Sequence, residues 1–301
     1  MNKKLNTRIF ITLGLVVLLI GAMVVAGCTD NIKKTGEVPP PLQKQSIKVS
    51  GSTTVLPIAQ KAAEAYMATH QNADIQISGG GSGVGLQQIG EKTVDIGMSS
   101  RDLKATESTK YPDLVKHIVA KDGIAIVVNP KNEIRGIQAA TVAEIYTGKI
   151  TLWTQIPGAH LPGTNTQIVV IGRDSASGTR EFFDTHANGI LKGTPPTKSM
   201  LEKNSNGAVA QTITQTPGAI GYVSIGFVTG DVKALPVWYN DSSAAVAPTK
   251  ENVLSGAYPI NRELFMFTSV QPTGLAADFI NFIRSPEGQK IVEEEGFVRI
   301  G

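Results

Sequence analysis

The pattern of apolar and polar positions changes character twice along the chain. Residues 9–26 (IFITLGLVVLLIGAMVVA) form one apolar run, and residues 28–45 (CTDNIKKTGEVPPPLQKQ) carry no apolar period. From Ile47 onward, short strand-like runs alternate with helical patterns. Ile47–Val49 reads as a strand running into Gly51–Thr54; Pro57 then precedes an Ala-rich amphipathic stretch, Ile58–Thr69, that predicts a helix. Asp74–Ser78 alternates as a strand does and ends in GGGSG (79–83). Val84–Glu91 has helical character and leads to a strand at Thr93–Met98, with Ser99, Ser100 and Arg101 at its tip. Strands separated by helices of about ten residues predict βαβ units and parallel pairing.

A second block repeats this logic. Gln167–Ile171 predicts a strand, GRDSASGT (172–179) the loop after it, and Arg180–His186 the start of a helix. Long apolar strand patterns flank the block at His117–Val128 and Tyr258–Thr268, and Gly274–Glu295 is helical, with Ala277, Ile280, Phe282, Ile283, Ile291 and Val292 in period. The expected fold is α/β with two lobes, each a mainly parallel sheet flanked by helices, joined by two crossing strands. One lobe takes 46–124 and 256–301, the other 125–255. Each loop rich in Ser, Thr and Gly falls where a strand ends and a helix begins, the position at which open α/β sheets bind ligands.

Length and composition narrow the function classes. At 301 residues, 41% hydrophobic and 18% charged, the chain is globular in composition and long enough for two domains, and neither collagen-like, disordered nor multi-spanning. The excess of 28 Lys and Arg over 25 Asp and Glu equals Lys3, Lys4 and Arg8, and no acidic residue precedes Cys28. The body is therefore neutral and gives no support to nucleic-acid binding. The basic start followed by an apolar run has the order of an export signal, and is also just long enough for a permanent anchor. Cys28, the only cysteine, follows Val25-Ala26-Gly27, and VAGC looks like a lipobox whose Cys is lipidated. The expectation is a signal peptide at 1–27, a flexible tether at 28–45 and a membrane-tethered domain on the outer face. A single Cys excludes an internal disulfide.

Enzymatic motifs do not appear. His70, His117, His160 and His186 lie in no spaced metal-ligand pattern, GGSGV and GMSSR each miss a glycine of a nucleophile elbow, and no phosphate loop of nucleotide-binding type occurs. Neither catalysis, metal nor cofactor is expected. What the loops do supply is hydrogen-bond donors. Backbone N–H groups at a helix start, Ser and Thr hydroxyls, and one Arg with a planar pair of donors suit a tetrahedral oxyanion. Arg173 with Ser177, Gly178 and Thr179 has this composition in one loop; Ser52, Thr53 and Thr54, then Ser82 and Gly83, then Ser99 and Ser100 add three more donor sets. Asp95 reads as structural. Arg101 suits either the anion or a carboxylate partner, Asp102 or one across the lobes.

SGSTTVLPI (50–58), GGGSGVG (79–85), TVDIGMSSR (93–101) and GRDSASGTRE (172–181) resemble, in order, the signature segments of the phosphate-binding proteins of high-affinity phosphate ABC transporters, the PstS family. EIYTGKITLW (144–153), GAIGYVS (218–224) and FINFIRSPEGQKIV (279–292) extend the resemblance across 46–301. It implies a type II periplasmic-binding-protein fold and an extracytoplasmic receptor that closes on inorganic phosphate. Its partners would be permease subunits, with Cys28 as lipid anchor and a monomeric state. Position by position it implies phosphate contacts from Ser52, Thr53, Thr54, Ser82, Gly83, Ser100, Arg101, Arg173, Ser177, Gly178 and Thr179. Ser100 stands where some members carry an aspartate that accepts the phosphate proton; Asp102 or Asp174 would have to take that role here, or selectivity over sulfate is weaker. Another oxyanion, sulfate or molybdate, is the nearest rival, a secreted phosphatase using Ser52, Ser82 or Ser177 a more distant one. A purely adhesive or signalling surface protein, binding no small anion, is a third.

Overall fold

A computed structural model describes residues 43–161, 167–240 and 243–301. The expected signal peptide, Cys28 and most of the expected tether lie outside them. Eleven strands and nine helices occur among the described residues: β1 (Gln45–Gly51), α1 (Leu56–Thr69), β2 (Ala73–Gly79), α2 (Ser82–Gly90), β3 (Ile96–Ser99), α3 (Ala105–Lys110), β4 (Val115–Val128), β5 (Ile137–Gln138), α4 (Ala139–Tyr146), β6 (Val169–Arg173), α5 (Gly178–Thr185), β7 (Leu201–Lys203), α6 (Asn206–Gln215), β8 (Ala219–Ser224), β9 (Lys233–Leu235), β10 (Val237–Trp238), α7 (Lys250–Leu254), β11 (Asn261–Thr268), α8 (Gly274–Arg284) and α9 (Pro286–Glu294).

The strands β2-β1-β3-β11-β4-β8-β6-β7 form one continuous sheet, with β9 also on β4. Pairing is parallel at each end, β2-β1-β3 and β8-β6-β7, and antiparallel around β4 and β11. The fourteen residues of β4 explain the continuity. Val115–Gly123 pair with β11, Ile124–Val128 pair with β8, and Ile126–Val128 pair with β9 on their other edge. So long an apolar strand can serve two cores, and the buried side chains divide accordingly. One cluster holds residues between Ile47 and Ala120 with others between Leu264 and Phe297, a second holds Ile124 to Ile260 together with Val298, and Leu86, Ile89, Phe265 and Phe267 form a smaller third beside the first. Helix α8 shows how the pattern translates into packing. Its buried residues Leu275, Phe279, Ile280 and Ile283 fall on one face, each worth roughly 1.5–3 kcal/mol when removed from water.

Two local readings shift in the structure. The strand expected at Thr93–Met98 begins only at Ile96. Asp95 precedes it, and its carboxylate accepts from Lys48 N–H at 2.8 Å while its own N–H donates to the Lys48 carbonyl, pinning the loop to β1. The strand expected from Tyr258 begins at Asn261, because Tyr258 is spent as a buried plug whose hydroxyl donates to Ile124 O at 2.8 Å.

Parallel register sets the site. Gly51 pairs with Gly79 of β2 and Met98 of β3, so the three strands end side by side and the loops after them emerge together. Helix α2 is drawn close because glycines meet there: a Cβ on Gly85 would lie 2.7 Å from Gly51 Cα. At the far side Arg173 pairs with Lys203, ending β6 and β7 in line.

Candidate functional site

Four loops converge on a buried cluster of hydroxyls and guanidinium groups. Thr53 follows β1, and its Oγ1 accepts from Arg173 Nη2 at 3.1 Å, across 120 residues of sequence. The Thr54 and Thr179 hydroxyls lie 3.2 Å apart, and Ser82 Oγ lies 3.2 Å from Ser100 Oγ and accepts from Ser100 N–H at 3.0 Å. Thr54 and Ser82 have no exposure at all, and Arg173, Thr179 and Ser100 only 1% each. So complete a burial of hydroxyls and a cation is costly without hydrogen bonds. Helix α5 starts inside this cluster: Ser177 caps it by accepting from Arg180 N–H at 3.1 Å. The N–H groups of Gly178 and Thr179 form its first turn, where the helix supplies no carbonyl of its own.

Gly178 is the point of closest approach between the two sets of loops. A Cβ there would sit 2.8 Å from Ser100 Oγ and closer still to Ser82 Oγ. Gly178→Ala is therefore expected to hold the loops apart and weaken anion binding by at least about tenfold, with little change in unfolding midpoint, as a binding titration beside a thermal melt would read.

The charges in this region are unusual in how they are paired. Burial pulls the Arg173 guanidinium down to about 10, and nearby Tyr222 and Asp174 oppose that shift only in part. Its Nε donates to Lys203 O at 3.1 Å and its Nη2 also to Asn204 O at 3.2 Å, so carbonyls and a hydroxyl orient the side chain and no carboxylate neutralises it through these bonds. A cation buried this way is costly without a counter-charge. Behind it lies a second arginine. Arg262, on β11, donates from Nε (3.0 Å) and Nη2 (2.8 Å) to Asp122 Oδ2, and from Nη2 to Thr179 Oγ1 at 2.9 Å and Thr54 Oγ1 at 3.4 Å. Asp122 also accepts from Ser224 Oγ at 2.6 Å and Ile225 N–H at 3.3 Å. Burial pushes the Asp122 carboxyl up and the Arg262 guanidinium down, and their contact opposes both shifts.

Not every expected residue joins the cluster. Arg101 is buried, but its guanidinium forks onto Glu107 at 2.7 Å and reaches Glu181 of α5 at 3.0 Å, where Lys104 Nζ also docks at 2.7 Å. Of the two roles open to it from the sequence, the structure shows the carboxylate partner, and that partner lies across the interface between the loops. Gly83 likewise links the two sides, donating its N–H to Ala176 O at 3.0 Å. Ser52 turns inward on its own loop, accepting from Thr54 and Val55 N–H. Asp102 pairs with Lys116 at the surface, while Asp174 Oδ1 is buried without a partner. The partners of Ser52, Ser82 and Ser177 hydroxyls are backbone N–H groups and Ser100, with neither base nor acid among them. No group of three or more His, Cys, Asp and Glu able to hold a metal occurs among the described residues.

The sequence reading missed Asn206, Asp122, Arg262 and Ser224. Asn206 is fully buried at the first position of α6, which Ser205 caps, and its Nδ2 donates to Thr54 Oγ1 at 2.9 Å and Thr53 Oγ1 at 3.4 Å. Its signal was a Ser-Asn pair before a helical run. Asp122 and Arg262 were visible as charges inside two long apolar strand patterns, a placement that only a buried partner makes tolerable.

Residues 37–287 match the PBP superfamily domain. The chain is 36% identical over 257 residues to the phosphate-binding protein PstS of Bacillus subtilis (strain 168), covering 85% of this chain and 81% of that one. PstS of Borreliella burgdorferi is 30% identical over 265 residues, 84% of this chain and 90% of its own. Among solved structures, a putative phosphate ABC transporter substrate-binding protein from Clostridium perfringens with bound phosphate superposes with a TM-score of 0.76 at 32% identity, covering 85% of this chain and all of that one.

Proposed function

The chain belongs to the PstS family of phosphate-binding proteins, within the PBP superfamily, and on that premise we propose that its converging loops are the seat of inorganic phosphate. It is a phosphate-binding substrate receptor of an ABC transporter. Relatives of this kind are substrate-binding proteins rather than enzymes. The observation that carries the site assignment is the Arg173–Thr53 bond. It joins a buried cation whose side-chain bonds go to carbonyls and a hydroxyl, from one side of the cluster, to a donor loop from the other. Thr53, Thr54, Ser82, Ser100, Arg173, Gly178 and Thr179 contact the anion in this reading; Ser52 and Ser177 shape the loops, and Gly83 and Arg101 hold the two sides together. Calorimetric titration of the purified protein with inorganic phosphate tests it: one-to-one binding is expected, and no binding by folded, anion-free protein would sink it.

The division of the buried side chains supports two lobes that hinge on β4. Tyr258 and Ile260 pack with the second cluster, which supports a return crossing near the start of β11. Closing desolvates the anion and brings α5 onto loops already holding it. The protein works on the outer face of the membrane, held by a lipid on Cys28 and a solvated tether, and hands phosphate to permease subunits. Among the described residues no helix is long and apolar enough to cross a membrane. Cys28→Ala is expected to move the protein from the membrane pellet to the soluble fraction or to leave an uncleaved precursor. Unchanged membrane retention of a processed form would overturn the lipid anchor.

A further inference from the structure

Beside the hydroxyl cluster the two sets of loops are pinned to each other twice. One pin is neutral: Gly83 N–H donates to Ala176 O at 3.0 Å, next in sequence to Ser82 and Ser177. The other is ionic. Glu181 Oε2, in the first turn of α5, lies 3.0 Å from Arg101 Nε and 2.7 Å from Lys104 Nζ. Arg101 follows Ser100, and Glu181 stands two residues after Thr179, so this pin also adjoins two of the hydroxyls. Arg101 is prepared for the contact from within its own loop. Glu107 accepts from Arg101 Nη1 and Nη2 at 2.7 Å each and from Lys104 N–H at 2.9 Å, and Asp102 O accepts from Nη1 at 2.8 Å. Those bonds fix the guanidinium plane and leave Nε for Glu181. Arg101 and Lys104 against Glu107 leave one positive charge over, and Glu181 matches it.

Resting on the phosphate site and the two lobes proposed above, we infer that Glu181 is a positioning residue for phosphate retention. Its bridge to Arg101 and Lys104 forms as the lobes close and slows their reopening. Glu181 acts through the loops on either side of the anion rather than on the anion itself. The Arg101 side chain is 7% exposed and that of Glu181 23%, so their pair is partly shielded from solvent, whereas Lys104, at 47%, adds less. A bridge made only in the closed form changes escape and not encounter, because the anion meets the open lobes first. The Glu181 charge also has an opposite effect. A carboxylate near the start of α5 repels an approaching anion, and the two cations cancel that repulsion on closing. The repulsion acts through water across an open cleft and is screened, while the bridge acts over 2.7–3.0 Å in a partly buried contact, so the bridge dominates.

Stopped-flow association and release of inorganic phosphate test this on the purified protein, Glu181→Gln, Lys104→Met and the double variant. Glu181→Gln is expected to speed release at least about fivefold and to leave the association rate within about twofold. Lys104→Met speeds release about twofold by itself and adds nothing in the Glu181→Gln background, because its effect passes through Glu181. Raising salt from about 0.05 M to about 0.5 M speeds release from wild type more than from Glu181→Gln. Unfolding midpoints of the phosphate-free wild type and Glu181→Gln are expected to coincide, since open lobes do not hold the bridge; a plain structural bridge would lower the midpoint of the variant. Unchanged release from Glu181→Gln, additive effects of the two substitutions, or a midpoint lowered without phosphate would overturn the inference and leave the site standing. Failure of wild type to bind phosphate would remove the site and the inference together.

Discussion

Arg173→Ala raises the dissociation constant for phosphate by roughly two to three orders of magnitude, the cost of taking a charged donor from a desolvated anion. The argument runs from burial. Arg173 is 1% exposed, is oriented by Lys203 O, Asn204 O and Thr53 Oγ1, and is pulled down to about 10 by the loss of water around it. It remains a cation at neutral pH, and in the proposed site an anion repays the cost of burying it. In the protein without phosphate, truncation removes three hydrogen bonds and an unpaired buried charge together, terms of opposite sign. Unfolding free energy is therefore expected to change by no more than about 2 kcal/mol. Arg173→Lys keeps the charge but not the planar fork, and recovers only part of the affinity. Calorimetry beside urea denaturation checks both halves. Affinity within about threefold of wild type in Arg173→Ala would remove this residue from the site.

Arg262→Met is the largest expected loss of stability, about 3–5 kcal/mol, because it leaves the fully buried Asp122 carboxylate without its cation. Two serine and backbone donors remain to Asp122, too few to hold an ionised group at the junction of the two cores. The sign of the pH dependence follows. Burial already pushes the Asp122 carboxyl above its ordinary value, and without Arg262 only the Ser224 hydroxyl and Ile225 N–H still oppose that shift. A carboxyl raised on folding favours the folded state below its unfolded pKa of about 3.9 and loses that contribution as pH rises through the folded value. The deficit of Arg262→Met is therefore smallest in acid and grows toward neutrality. The double variant Asp122→Leu/Arg262→Met, which removes both charges, is expected to be more stable than Arg262→Met alone. Urea denaturation at about pH 4.5 and about pH 7.5 reads the trend; a deficit that does not grow would mean Asp122 is hydrated or neutral in the fold.

Much of the secondary structure was legible because period is a local property. The helix read at Ile58–Thr69 is α1 from Leu56, and the strand read at Asp74–Ser78 is β2. The βαβ spacing carried parallel pairing with it. Helices α4 and α6 were not read, being short and rich in Thr, Ala and Gln, with helical order that comes from packing on β8 and the core rather than from propensity. The donor loops were legible because Ser, Thr and Gly at strand ends are a local signature. Asn206, Asp122 and Arg262 were not, since a single polar residue in an ordinary segment becomes informative only when its buried partner is known.

The order of the donor loops with the strands and helices that flank them, the neutral body behind a basic leader, and the absence of familiar catalytic motifs were determined by the sequence alone, because each depends on residues near one another in the chain. Which donors meet was decided by the tertiary structure. Thr53 reaches Arg173 across 120 residues, Thr54 reaches Thr179 across 125, and Arg262 touches both Thr54 and Thr179 only because β11 returns beside β4. The fate of Arg101 belonged there as well, since Glu181 becomes its neighbour only when α5 packs against the end of β3. A hydroxyl or a guanidinium has the same chemistry anywhere in a sequence. Its direction, and hence what it offers a ligand, follows from the partners that folding brings within about 3 Å.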